Sequence, residues 1–381
     1  MRLHNCYSLS GAALAIIAEY RVSSARIPRF RARKTMAFEF VPVAASERQH
    51  LSEFLLESFH AEPNLNSFSP EVLDWKYFFG HPDWPGPRSF AIKQEGQIVA
   101  HGGIWPVRLL TPAGEVEAIH LIDWAASRTA VGAGIHLLRK MAGLGDVLLT
   151  IGGSPDTRDL LPKLGYKTCG TLRRYARVIR PWLQFRTTPA QDWKKAAKFL
   201  RNSIRALTGL PAAPEGWHAT KVTRLEESIE GVFEHARSSI CSRRTAAGLN
   251  YLLRCPAADF SGFLVNQGEK ARGYFLLAQV GRQARIVDIR LDSGDRESRQ
   301  AICALAVRAA ADDPETCEIV AASSVAIAGE LWLQVGLVHR ESDPILFYDP
   351  RNLVGSALPL DLSLADGDLC FLSDPRSPYL S

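Results

Sequence analysis

The feature that most narrows what this chain can fold into is an internal repeat, carried by order and spacing more than by identity. The run from Leu73 through Trp75, Tyr77 and Gly80 to Pro82 finds a shorter echo from Leu249 through Tyr251 to Pro256. Thirteen residues after Pro82 comes Glu95, in a turn followed by Gly96; thirteen after Pro256 comes Glu269, in the matching turn. Turns of this composition join antiparallel strands. The first copy predicts a strand over 38–43, helices over 46–59 and 71–79, and strands over 89–93, 97–110 and 115–126. A helix opening at Gly132, a strand over 146–151, a helix over 157–164 and a strand over 171–179 complete it. The second predicts strands over 262–266, 271–279 and 285–291, helix 296–311, strand 318–322, helix 325–335 and strand 345–348. Strands come first as a meander and then alternate with helices. The expected fold class is therefore mixed α/β (α+β-like), with a mostly antiparallel sheet flanked by helices, built twice. The expected division is a basic tail over 1–35, a first domain over 36–180, a connection with a basic helix over 181–225, and a second domain over 226–381.

Composition matters here mainly through where the charge sits. The formal net charge is +5. Residues 1–35 hold seven Lys and Arg against Glu19 alone, a charge of +6, which leaves −1 for the rest. A nearly neutral body lacks the electrostatic footprint of a nucleic-acid-binding protein. The seven cysteines are scattered, with no C-x-x-C spacing, so neither a zinc site nor a disulfide frame is expected, and no metal. No run approaches the roughly 20 apolar residues of a membrane span. A cytoplasmic location is expected. The tail is read as a disordered or mis-started segment, with a signal or organelle presequence as the alternatives; Met36 stands directly before the first strand.

The chemistry concentrates between His120 and Leu138. There the 115–126 strand enters a loop with Gly132 and Gly134 and passes directly into a helix. Backbone N–H groups at such a junction, with the helix dipole behind them, suit a pyrophosphate. Position 137 is Leu, so a dinucleotide fingerprint is incomplete; no P-loop and no nucleophile elbow occurs. Asp123 is a candidate buried carboxylate or a structural hydrogen-bond acceptor. His120, three residues earlier, falls on the opposite face of a regular strand. His101 reaches the same cleft from the neighbouring strand or lies at a turn. Trp75, Tyr77, Phe78 and Phe79 line an acceptor pocket or belong to the core. Ser154 touches a cofactor or caps the helix after it.

With these residues in view, the chain resembles the GNAT N-acetyltransferase superfamily, in particular its tandem-domain bacterial members. The resemblance rests on 73–82, the turn at Glu95-Gly96, the strand–Gly132-x-Gly134–helix segment, and Lys163-Leu164-Gly165-Tyr166. The second half is similar to the same fold without the glycine loop, with Asp292 to Arg296 in its place. The resemblance implies transfer of an acetyl or other acyl group from acyl-coenzyme A to a primary amine of a small molecule or peptide. It implies a thioester polarised near Trp124 and Ala125, and a cofactor held by Arg128, Gly132, Ala133, Gly134, Ile135 and Ser154. Asp123 and His101 are the candidate bases. Thr129 and Leu161 depart from the family, which has Arg or Gln at the first position and often Tyr at the second. The alternatives are an aminoacyl transferase of the Fem class fed by aminoacyl-tRNA, or a binding protein with this fold and no turnover.

Overall fold

The computed structural model describes residues 37–61, 66–188, 193–212, 214–232, 239–292, 294–355 and 358–381. The tail over 1–35 lies outside them. The described strands are β1 (Glu39–Pro42), β2 (Ser89–Gln94), β3 (Gln97–Thr111), β4 (Gly114–Ala126), β5 (Val147–Ile151), β6 (Lys167–Val178) and β7 (Trp217–Val222). They continue as β8 (Ile240–Ser242), β9 (Asp259–Gln267), β10 (Lys270–Val280), β11 (Gln283–Leu291), β12 (Glu318–Ser323), β13 (Val338–Tyr348) and β14 (Leu360–Asp361). Twelve of them form one continuous path, β1-β2-β3-β4-β5-β13-β6-β12-β11-β10-β9-β7, with β8 pairing β3 and β14 at its side.

This order shows how the repeat is used. Each half contributes an antiparallel meander, β1 to β4 and β7 with β9 to β11, then a parallel neighbour, β5 beside β4 and β12 beside β11. The final strands are exchanged. β13 of the second half lies antiparallel to β5, β6 of the first lies antiparallel to β12, and β6 and β13 pair at the centre. β7 belongs to the second sheet half, although the sequence places 217–222 in the connection.

The exchange merges the two cores on one face. Trp75 stacks on Tyr251 with ring centroids 5.1 Å apart and meets Trp105 and Phe371 edge-on. Its indole donates to Tyr251 O at 3.1 Å. The aromatic run at 73–79 is thus largely core; Phe79 alone is exposed. On the opposite face each half keeps its own helices: Ala133–Met141 covers Ile104, Leu121 and Leu148, and Arg296–Ala311 covers Ile286 and Ile319. Gly102 and Gly103 serve opposite faces at one point. A Cβ on Gly102 would come 2.6 Å from Met141 Sδ, and one on Gly103 would strike the Tyr77 hydroxyl, with ring Cε1 at 2.6 Å.

Candidate functional site

The candidate site begins where β4 and β5 part. Their parallel pairing covers only Ala118, Ile119 and His120 against Val147, Leu148 and Leu149. Past that point β4 runs on to Ala126 without a β5 partner. His120 marks the split: its Nδ1 donates to Asp366 O at 2.8 Å, and its Nε2 accepts from Ile151 N at 3.3 Å. The imidazole is therefore a neutral tautomer with both nitrogens used. Burial lowers its pKa, against the opposing pull of Asp368.

Three residues further, β4 bulges. The β3 register slips between His101 and Gly103, and Asp123 takes φ +47°. A non-glycine residue there costs about 1 kcal/mol or more, and such strain persists only where neighbours fix it. Here they do. Asp123 Oδ2 accepts from Lys76 Nζ at 2.7 Å and from the Tyr77 hydroxyl, and Asp123 O accepts from His101 Nδ1 at 3.1 Å. Lys76 also reaches Asp368 at 3.1 Å, from the carboxy-terminal segment. Because of the bulge, Asp123 and His120 converge on one side of the sheet, contrary to the alternation of a regular strand.

The bulge also sets the surroundings of the two candidate bases, His101 and Asp123. His101 is fully buried, with Nε2 3.0 Å from Ser89 Oγ and Nδ1 on Asp123 O. Burial holds its pKa down at about 4, although Asp123 pulls the other way. It positions the bulge and has no nitrogen left for a substrate proton. Asp123 Oδ2 is likewise committed to Lys76 and Tyr77, which makes it a fixing group for the strand.

Beyond the bulge the geometry suits an anionic ligand. Ser127 N–H donates to Val99 O on β3 at 2.8 Å, so strand alternation turns the N–H groups of Ala126 and Trp124 to the open side. Gly132, at φ +86°, is the N-cap of Ala133–Met141 and supplies no side-chain cap. Ala133 N–H bonds to Ala130 O, and the first intrahelical bond is His136 N–H to Gly132 O. Gly134 and Ile135 therefore present first-turn donors that the helix itself does not use. Gly134 also lets the helix close on the end of β4. A Cβ there would lie 3.1 Å from Ala126 Cβ, and Trp124 Nε1 donates to Gly134 O at 3.3 Å. Arg128 is exposed on the same loop, beside a Ser127–Thr129 hydroxyl contact of 2.8 Å.

The second half differs at the equivalent place. Arg296–Ala311 is capped by Asp295, whose carboxylate accepts from Ser298 N–H at 2.8 Å. A carboxylate already occupies the position that a phosphate would need. Ser154 caps Pro155–Leu160 by accepting from Thr157 N–H at 3.2 Å. Leu161 is fully buried among Leu148, Tyr166 and Leu346. Sequence reasoning missed Lys76, Asp366 and Asp368. A lysine inside the apolar run from Trp75 to Phe79 is the signal that points to the first; the other two have no local signal.

No family model matches the sequence, and no curated protein shows significant sequence similarity to it. Solved structures do match. A GCN5-related N-acetyltransferase from Anabaena variabilis aligns over 82% of this chain and 73% of its own, at 15% identity and TM-score 0.54. Saccharomyces cerevisiae N-myristoyltransferase with bound myristoyl-CoA aligns over 86% and 85%, at 12% identity and TM-score 0.56. A tandem GNAT protein from the clavulanic acid biosynthesis pathway aligns over 82% and 98%, at 11% identity and TM-score 0.53. The chain has the GNAT fold in tandem. Among the described residues no helix is long and apolar enough to cross a membrane, and no group of side chains is arranged to hold a metal ion.

Proposed function

We propose that the protein is an N-acyltransferase that takes an acetyl or longer acyl group from acyl-coenzyme A, with the donor bound in the first half only. The observation that carries this is the contrast between two equivalent helices. Ala133–Met141 starts at a glycine with free first-turn donors beside a parted strand, while Arg296–Ala311 is closed by its own Asp295. Gly134 and Ile135 would bind the pyrophosphate, with Ala133 and Arg128 beside it. The Trp124 or Ala126 N–H would meet the thioester oxygen as charge develops on it, where such donors act most strongly. A neutral primary amine attacks the carbonyl carbon; the C–N bond forms, the C–S bond breaks, and the amine proton leaves as the thiolate departs. With His101 and Asp123 committed elsewhere, solvent removes that proton in this reading. The acceptor is a small-molecule or peptide amine in this proposal, and the second half shapes its site.

The test is thermal denaturation with coenzyme A, acetyl-coenzyme A and longer acyl-coenzymes A. A ligand at a hundred times its Kd stabilises by about 2.7 kcal/mol. A saturable rise in Tm with at least one thioester is expected, and no rise with any of them overturns the proposal. A second reading, a protein that binds the thioester without turnover, draws on Leu161, buried where the family often has a tyrosine. Binding without transfer across a panel of amines would select it.

A further inference from the structure

The segment between the two halves carries a surface that acyl transfer does not use. Helix Trp193–Ala206 packs by one side only. Asn202 is buried there and donates to Gln184 Oε1 at 2.9 Å, and the Phe199 ring lies 5.1 Å from Phe185. At 100° per residue, Trp193, Ala197, Leu200 and Ile204 fall within an arc of about 60°, and Leu207 follows in the turn after the helix. All five are exposed, Trp193 at 76% and Leu207 at 85%. Of the ten large hydrophobic side chains exposed among the described residues, six lie between Trp182 and Leu210. Trp182 stands beside this face, 60% exposed and stacked on Phe185.

The flank of this stripe is cationic. Lys194, Lys198, Arg201 and Arg205 follow one side of it, and no acidic residue occurs from Trp193 to Ala212. Among the described residues none of the four pairs with an Asp or Glu side chain; Lys198 Nζ lies 3.5 Å from Ser381 O at the end of the chain. A second copy packed antiparallel across a twofold axis is a poor cover, because it would bring two such cationic rows together. Nucleic acid would meet the cations but leave Leu200, Ile204 and Leu207 in water. An anionic bilayer satisfies both: apolar side chains enter the acyl boundary and Lys and Arg meet the headgroups. We propose that this face docks the protein on anionic lipid membranes, with the helix lying in the interface plane.

The test is co-sedimentation of the full chain with phosphatidylcholine vesicles with and without phosphatidylglycerol, at low and high salt. Binding only to the anionic vesicles, weakened by salt, is expected. Two double variants at exposed positions separate the contributions. Leu200→Ser with Ile204→Ser should lower partitioning at least tenfold, and Lys198→Ala with Arg205→Ala about thirtyfold at low salt. If the first fails to fold, the second still decides. No binding to anionic vesicles, equal binding to both kinds, or retention of full binding by the second variant overturns the proposal. A lipid-free dimer abolished by the serine variant also overturns it, in favour of a second copy. Coenzyme A binding is unaffected in every arm, so this proposal and the acyl-transfer reading fail separately.

Discussion

Lys76 Nζ lies 2.7 Å from Asp123 Oδ2, with the lysine side chain fully buried and the aspartate almost so. The pair links a helical turn of the first half to the β4 bulge, and Asp368 extends it to the carboxy-terminal segment. Burial by itself pulls the lysine pKa down, but the two carboxylates outweigh it and the net shift is upward. The ammonium is thus charged at neutral pH, and its contribution to stability is present below the unfolded pKa, lost only as pH rises through the higher folded value. Replacing Lys76 by Met leaves two carboxylates in the core without their cation. Unfolding in urea should show a loss of about 3–5 kcal/mol. A loss under about 1 kcal/mol would mean that water or protonation compensates the carboxylates and that Lys76 does not hold the bulge.

Acid should destabilise the protein well before its carboxylates titrate. His101 is held at about 4 and His81 at about 3, in each case chiefly by burial, and His120 is lowered as well. The unfolded chain takes up these protons near pH 6.5 while the folded one does not. Stability is then complete above pH 6.5 and declines as pH falls towards 4. For His101 alone the loss is on the order of 3 kcal/mol. Urea midpoints measured from pH 7.5 down to 4.5 should fall steadily, and His101→Gln should flatten the slope. A flat profile in the parent protein would show that these imidazoles are hydrated.

Much of this was legible in the sequence, for local reasons. The meanders, the Gly132 junction and the helix over 296–311 follow from turn residues, glycine and apolar periodicity within a short window. The bulge was not. Asp123 and His120 sit three apart, and alternation separates them; what reunites them is Lys76, 47 residues before Asp123, and Asp366 and Asp368 far downstream. The strand exchange was hidden for a similar reason. A repeat states which strands exist in each half, not that β13 prefers the edge of β5 over that of β12. The strand over 217–222 was masked by the prolines and basic residues around it.

Exchange of β6 and β13 makes the halves interdependent. A first half alone would leave β5 without β13, and a second half alone would leave β12 without β6. Both would expose long unpaired strand edges, which drive aggregation. Cleavage within 209–212, after the basic helix, should therefore leave the two pieces associated and folded. Each piece expressed singly should be insoluble, and co-expression should restore one complex by gel filtration. A soluble, cooperatively unfolding first half on its own would contradict the interdependence.

Gly132 and Asp295 offer a way to move one half towards the other. Gly132→Asp would place a carboxylate at the start of Ala133–Met141, as Asp295 does at the start of Arg296–Ala311, although Asp295 caps from an extended backbone and position 132 is left-handed. The φ of +86° costs an aspartate about 1 kcal/mol, with no side-chain cap to offset it. The fold should survive with a small change in Tm. Coenzyme A would then meet a negative charge where its pyrophosphate binds. Affinity measured by titration calorimetry should fall about ten- to hundredfold, an electrostatic penalty of about 1.4–2.8 kcal/mol. Gly132→Asn carries the same shape without the charge and should lose less, while added salt should narrow the gap between the two variants. Equal losses from Asp and Asn would show that backbone conformation, not charge at the helix start, governs the site.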